Sequence, residues 1–402
     1  MTVNNDNQES PDNGRERLLE AYTGLREGCG RITIKRDIVS VAGQDAAKFL
    51  QGQMTQDISL LAEGGSTYSF LLRPDGRVVA LVRVSRLLDD RFLIDTDHGW
   101  GDAVAERLHQ FKIRTKVDIE QPQYHCVSLR GQLSNDVLGI GGTYPSNASS
   151  DRGNPHSGGS DGGSLHANSL HANDVDRLYV MGDGVIAIPL LWDEPLVGYD
   201  LFCDDPSALD RLVGDLPGYP SPEYSLDMAE TLTEVLRIEA GLPAMGREID
   251  SNTIPAYTSI MDKAVSLGKG CYVGQELVER IDSRGSHVPK RLCRLVERDG
   301  ATPLSTLDLS AITSAAWSPG SRAYVCMGYV PRKINVGDTI VLQYTPIGRP
   351  DEDVNGGVPN TRINNPSARD TVMDESLSGS TVGYFGNGCN PSELPGKVFE
   401  VV

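Results

Sequence analysis

No stretch of the 402 residues reaches the roughly 18 consecutive apolar positions that a membrane-crossing helix needs, so no span is expected. The first 28 residues are polar and acid-rich. They lack the apolar run of a secretory leader and the Arg-rich, acid-poor character of an organelle transit peptide, which predicts a cytoplasmic chain. Cysteine is sparse: seven residues, at 29, 126, 203, 271, 293, 326 and 389, form no C-x-x-C pair and no regular spacing. This suits a reducing compartment and gives no reason to expect a metal site carried by the chain itself. Basic residues are also in deficit, 37 against 55 acidic ones, for a net charge of −18. Nucleic acid and anionic membrane surfaces are therefore disfavoured as partners, although a local basic pocket can still hold an anion. The expected ligand is small.

What is present reads as an α+β protein with β structure at its C-terminal end. Arg31 to Val41 alternates as a strand, and Gly43-Gln44-Asp45 opens a helix with apolar positions at Ala46, Phe49, Leu50 and Met54. Tyr68 to Leu72 and Val78 to Val84 are β-prone runs joined by Arg73-Pro74-Asp75-Gly76, a turn in which Pro fixes φ and Gly supplies a positive φ. Phe92 to Ile94 reads as a strand, Val104, Leu108 and Phe111 as a helix face, and Thr115 to Ile119 as a returning strand. Further strands are expected around the Gly182-Asp183-Gly184 turn and at Gly198 to Phe202. Leu226, Ala229, Leu232, Thr233, Leu236 and Ala240 trace a helical stripe, capped by Ser221 or Ser225 and stopped at Gly241. Arg291 to Val296, Ala323 to Val330, Thr339 to Tyr344 and Val398 to Val402 are strand-like and suit a small barrel or sandwich.

Composition sets the expected organisation: a disordered tail at 1–28, an α+β region at 29–285 made of two intertwined subdomains, and a β-barrel at 286–402. Two polar stretches read as insertions that bury too little apolar surface to fold, 139–174 and 345–380. The first contains Ser164-Leu165-His166-Ala167-Asn168 copied as Ser169-Leu170-His171-Ala172-Asn173. His156, His166 and His171 lie in it with no carboxylate or thiol spacing to support a metal site, so a solvated loop is the reading adopted.

The chemistry concentrates in Lys269-Gly270-Cys271-Tyr272-Val273-Gly274-Gln275-Glu276. A cation two positions from a cysteine favours the thiolate, small residues admit a ligand or a second backbone, and Gln275 with Glu276 adds donors and acceptors. The competing reading of Cys271 is an inert buried thiol. Arg237, near the end of its helix, either complements the helix C-terminus or aims a planar fork at a flat hydrogen-bonding ligand or a carboxylate. Asp200, in a strand where carboxylates are disfavoured, faces solvent or accepts from a ring N–H.

These segments resemble YgfZ-type folate-binding proteins, relatives of the aminomethyltransferase (T-protein) of the glycine cleavage system. The resemblance runs from about Arg31 through Arg294. It includes Gly43 to Asp57, Asp75-Gly76-Arg77-Val78, Leu236-Arg237-Ile238-Glu239-Ala240-Gly241-Leu242-Pro243, and the Lys269 to Glu276 signature without a gap. It implies a GcvT/YgfZ-like multi-domain ring with ferredoxin-like α+β layers, tetrahydrofolate or a one-carbon derivative in the central opening, and a role in maturing or repairing iron–sulfur proteins. Arg237 and Asp200 match the residues that bind the pterin side in the relatives, Asp200 where Glu is usual. Cys271 and Lys269 match the pair most associated with YgfZ-type activity, and Tyr272 and Gln275 complete the expected folate contacts. Partners would be the folate and iron–sulfur client or assembly proteins. Two alternatives stand beside this reading: a folate-dependent aminomethyltransferase, and a structural interaction protein with a vestigial pocket. Gly76 to Arg83 lacks the carboxylate that aminomethyltransferases carry there, and general acid–base help is typically worth about 10²–10⁴-fold, which speaks against efficient aminomethyl transfer. The expectation common to these readings is that the 271 sulfur, the 269 ammonium and the 237 guanidinium share one cavity.

Overall fold

The computed structural model describes residues 11–88, 90–140, 177–191, 197–219, 226–285, 287–301, 305–343, 384–385 and 394–402. The stretch expected as an insertion at 345–380, nearly all of that at 139–174, and the cap positions Ser221 and Ser225 lie outside the described residues.

Three sheets carry the fold. A five-stranded antiparallel sheet runs Ser66–Leu72, Val78–Arg86, Arg91–Asp97, Arg36–Ala42, Asp118–Glu120 in spatial order. The Arg73-Pro74-Asp75-Gly76 turn joins its first two strands as expected, with Gly76 at φ +82°. The helix Gly101–Phe111 buries Val104, Ala105 and Leu108 in the same core as Val39, Val41, Phe70 and Ile94. The second sheet has six strands in the order Gly218–Tyr219, Gly30–Ile34, His125–Arg130, Gly198–Cys203, Ile186–Pro189, Tyr179–Val180. The single strand expected over 31–41 is therefore two strands, and the chain passes from one sheet to the other at Lys35. Apolar alternation continues through the crossing, which is why period alone does not reveal it.

The third sheet, of seven strands, forms a curled half-barrel around Leu295, Ala315, Cys326, Ile340 and Phe399. Its long central strands are Lys290–Glu297 and Ala323–Pro331. The α+β architecture with β structure at the C-terminal end expected from the sequence is thus observed. Among the described residues no helix is long and apolar enough to cross a membrane.

The disordered tail expected at 1–28 is corrected over most of its length. Pro11–Glu27 is a helix, and its Leu18, Ala21, Tyr22 and Leu25 are buried against Leu232 and Leu236 of the helix Leu226–Glu239 and against Ala316, Val325 and Met327 of the half-barrel. Steps of three and four residues place those four side chains on one face. Polar ties fix the register: Tyr22 donates to Glu239 Oε2 at 2.8 Å, and Arg15 Nη2 donates to Tyr324 Oη at 2.7 Å. Leu25→Ala is expected to lower unfolding free energy by about 2–5 kcal/mol in urea denaturation, since a fully buried leucine leaves a cavity. A docked tail of no energetic consequence would leave the midpoint unchanged.

Candidate functional site

A cavity of about 150 Å³ opens where the first two sheets meet the helix 226–239. Its walls include Tyr68, Arg83 and Asp97 from the five-stranded sheet, Arg130 and Asp200 from the six-stranded one, and Arg237 with Leu242 and Pro243 beyond the helix. Two of the expected ligand contacts, Asp200 and Arg237, therefore share one cavity.

Asp200 lies opposite Ser128 in register, and Ser128 Oγ donates to its Oδ1 at 2.6 Å. Its Oδ2 accepts from Arg83 Nη2 at 2.8 Å, an ion pair joining the two sheets. Arg83 also holds Asp95, its register partner, through Nε at 2.9 Å and Nη2 at 3.2 Å, and Arg36 binds both Asp95 and Asp97. Burial would push the Asp200 carboxyl upward; the Arg83 and Arg130 guanidiniums and the Ser128 hydroxyl outweigh it and hold the group below the usual carboxylate range. Burial pushes Arg130 down to about 10, which leaves it cationic at neutral pH, and pushes the Tyr68 phenol up to about 12, which keeps it a donor. Three arginines (36, 83, 130) and three aspartates (95, 97, 200) thus pair beside the opening, where Lys35 adds a further lining cation. Asp200 is the member already read from the sequence. The others were missed because a cation or carboxylate in an alternating strand reads as solvent-facing; the available signal was Val82-Arg83-Val84 inside a central strand.

Arg237 reaches the cavity wall with its donors committed. Nε and Nη2 hold Glu234, Nη1 donates to Leu242 O at 2.7 Å and Glu248 Oε2 at 2.8 Å, and Nη2 donates to Ser314 Oγ at 2.8 Å. A guanidinium has five N–H groups, and all five are used. The expectation that it aims its fork at a ligand is corrected: Arg237 ties the helix to the 242–248 segment and the half-barrel, and lines the cavity with its N–H groups already committed.

The signature loop lies elsewhere. Lys269 is buried, and its Nζ donates to the carbonyls of Gln51 at 2.7 Å, Met54 at 2.7 Å and Gln56 at 2.8 Å. It closes the end of the helix Ala46–Gln51, whose terminal carbonyls have no partner within the helix. Burial lowers its pKa to about 8, still cationic at neutral pH. Tyr272 is buried with its ring centroid 5.2 Å from that ammonium. Gln275 Oε1 accepts from Tyr272 N at 3.2 Å, folding the loop onto the helix Gln275–Asp282. Neither Tyr272 nor Gln275 lines the cavity that holds Asp200 and Arg237; both make contacts within the loop. Gly274 adopts φ +85°, and a Cβ there would stand 2.6 Å from Arg73 O and 2.9 Å from Leu72 Cβ. Gly274→Ala is accordingly expected to cost at least about 1–3 kcal/mol of stability from the backbone conformation alone, with the steric contacts adding to it, measured by thermal unfolding.

Of the six described cysteines only Cys271 is exposed, which removes the inert-core reading of this thiol. A Cβ added at Gly268 or Gly270 would meet nothing within 4 Å, so the loop is open to approach. The shared cavity expected for residues 237, 269 and 271 is not what forms. Gly274 packs at the 73–76 turn, ahead of the strand Val78–Arg86, whereas the cavity is lined by Leu81, Val82 and Arg83 further along that strand and by neither Lys269 nor Cys271.

Comparisons with known proteins agree with this architecture. Residues 33–141 match the family model of the GCVT N-terminal domain. An iron–sulfur cluster assembly factor IBA57 homolog, mitochondrial, of Neurospora crassa is 27% identical over 301 residues, 71% of this chain and 57% of that one. A tRNA-modifying protein YgfZ of an Enterobacter species is 27% identical over 251 residues, 62% of this chain and 66% of that one. Each match spans less than two thirds of the relative's own length. The crystal structure of glycine cleavage system aminomethyltransferase T from Bartonella henselae superposes with a TM-score of 0.61 at 18% identity, covering 80% of this chain and 84% of that one, a likeness of fold. The fold and the matched domain define a GcvT-like protein. The chain is similar to YgfZ-type proteins among those relatives, and its Lys269-Gly270-Cys271 segment is the part that resembles their signature.

Proposed function

We propose that this chain is a tetrahydrofolate-binding accessory protein for iron–sulfur cluster assembly or repair. The observation that carries the reading is the cavity in which Asp200 is held by Arg83 and Ser128 beside Arg130 and Tyr68, together with an exposed thiol on a glycine-framed loop. The names of the Neurospora and Enterobacter relatives support the same direction. At about 150 Å³ the cavity is smaller than the roughly 300–1,000 Å³ of sites that engulf drug-sized ligands, so it suits the flat ring of folate and leaves the tail outside. Each Asp200 oxygen has one protein donor and retains a lone pair for a ring N–H, Tyr68 offers a phenol, and Leu242 with Pro243 offers an apolar face. Bound tetrahydrofolate supplies a one-carbon acceptor. Cys271 faces the client protein.

The test is calorimetric titration of the full chain with tetrahydrofolate, alongside Asp200→Asn checked for folding by circular dichroism. Saturable binding, weakened about tenfold or more by the substitution, is the expected result. Wild-type protein that gives no saturable heat overturns the folate reading. Cys271→Ser is expected to fail to complement cells lacking the endogenous factor; full rescue would remove the thiol from the mechanism. Release of ammonia from an aminomethyl-lipoyl carrier by the purified chain would favour the aminomethyltransferase alternative instead.

A further inference from the structure

A second cavity, of about 170 Å³, lies at the foot of the half-barrel and is lined by Gly285, His287, Val288, Lys290, Arg291 and Arg332. It contains three cationic side chains, one imidazole and no carboxylate, in a chain whose net charge is −18. The arginines of the folate-type cavity are each matched by an acid, whereas these cations form no ion pair with any described carboxylate. Register explains the convergence: Lys290 lies opposite Pro331 and Arg291 opposite Val330, so the strand Lys290–Glu297 starts where its neighbour ends and delivers Arg332 to the same mouth.

The groups are held in place by contacts that leave charge available. Arg291 Nη2 donates to Ile334 O at 2.8 Å, while its buried Nε has no acceptor among the described residues. Lys290 Nζ stands 4.2 Å from the Tyr329 ring centroid and 5.9 Å from that of Tyr257, so aromatic faces orient the ammonium without neutralising it. His287 Nδ1 lies 2.7 Å from Gly285 O and so carries its proton, which leaves Nε2 as the free ring nitrogen. Gly285 has φ +77°, and a Cβ on it would meet His287 Cε1 at 3.2 Å, so glycine there leaves room for the imidazole.

We infer that this mouth is a binding site for a phosphate-type dianion. Two arginine forks and an ammonium around a small concave space match an oxyanion of charge about −1.5 to −2, and with no lining carboxylate the cations await a counter-charge. A carboxylate group is the other source of the same oxyanion chemistry. It brings a single charge to a site holding three cations, so phosphate is the better match.

The experiment titrates the full chain with inorganic phosphate at low, constant ionic strength, read by calorimetry and by phosphorus NMR line width. The comparison set is Lys290→Ser, Arg332→Ser, Arg332→Lys and, as a remote control, Arg211→Ser. Lys290 and Arg332 are exposed, so their replacement leaves the core intact. The expected result is saturable binding, about tenfold weaker in either serine variant. Arg332→Lys should keep part of the affinity by retaining charge without the fork, and the Arg211 control should match wild type. Absence of saturation, equal affinity in all variants, or complete displacement by an equal ionic strength of sodium chloride overturns the site. A tri-glutamate peptide that binds about tenfold tighter than phosphate through the same residues overturns the phosphate assignment. These readouts do not involve tetrahydrofolate, so they are independent of the folate reading.

Discussion

Lys269→Met is expected to destabilise the protein by about 1–3 kcal/mol or more, because the buried Met54 carbonyl and the half-buried Gln51 and Gln56 carbonyls lose their shared donor, and one buried unsatisfied group alone costs about 1–3 kcal/mol. The side chain is close in length and apolar, so the loss isolates the charge and its hydrogen bonds from packing. Gln51 ends the Ala46–Gln51 helix and Met54 and Gln56 lie in the turn that follows it, and the ammonium is what ties the signature loop to both. Urea unfolding gives the stability. Alkylation of Cys271 by iodoacetamide under native conditions then separates the two roles considered for this lysine. If Lys269 acts as a structural pin, the variant loses stability while the intrinsic reactivity of the exposed thiol changes little. A stable variant with a slowed thiol would instead restore the view that this cation activates the sulfur.

The second large effect is expected at Arg83. Arg83→Met removes the cation shared by Asp95 and Asp200 and leaves two buried carboxylates short of a partner, a change worth about 3–5 kcal/mol. The pH dependence should change with it. Asp200 in the wild-type fold is held below its ordinary pKa, so its contribution to stability is present above the unfolded value of about 3.9 and is lost as pH falls through the folded value. Glu234, held low by Arg237 and Arg247 against the effect of burial, contributes with the same sign. Unfolding free energy measured from neutral pH downward should therefore fall steeply in acid for the wild type. It should fall less steeply for Arg83→Met, whose Asp200 no longer gains as much from ionising. Parallel curves would show that Arg83 does not set the Asp200 titration.

Much of the architecture was legible because it rests on local rules. The 73–76 turn, the Gly101–Phe111 helix and the helix ending at Gly241 follow from apolar spacing and from residues whose φ is constrained. The N-terminal helix was legible too, since Leu18, Ala21, Tyr22 and Leu25 are spaced for one face; acidic composition around them masked the stripe. What sequence could not supply was the partner of each charge. Arg83 and Asp200 are 117 residues apart and meet only because two sheets do, and the five acceptors of Arg237 come from three separate parts of the chain. The signature was recognisable as a site from its residue types. Whether its lysine faced the neighbouring sulfur or the main chain of a distant turn depended on tertiary packing.

The strand Val78–Arg86 has the thiol-bearing loop beside its beginning and the Asp200 pair toward its far end. A macromolecule too bulky to enter the cavity still has open access to Cys271, while a small ring can sit between the sheets without displacing it. Under the proposed function, client and folate therefore have separate doors, and neither has to leave before the other arrives.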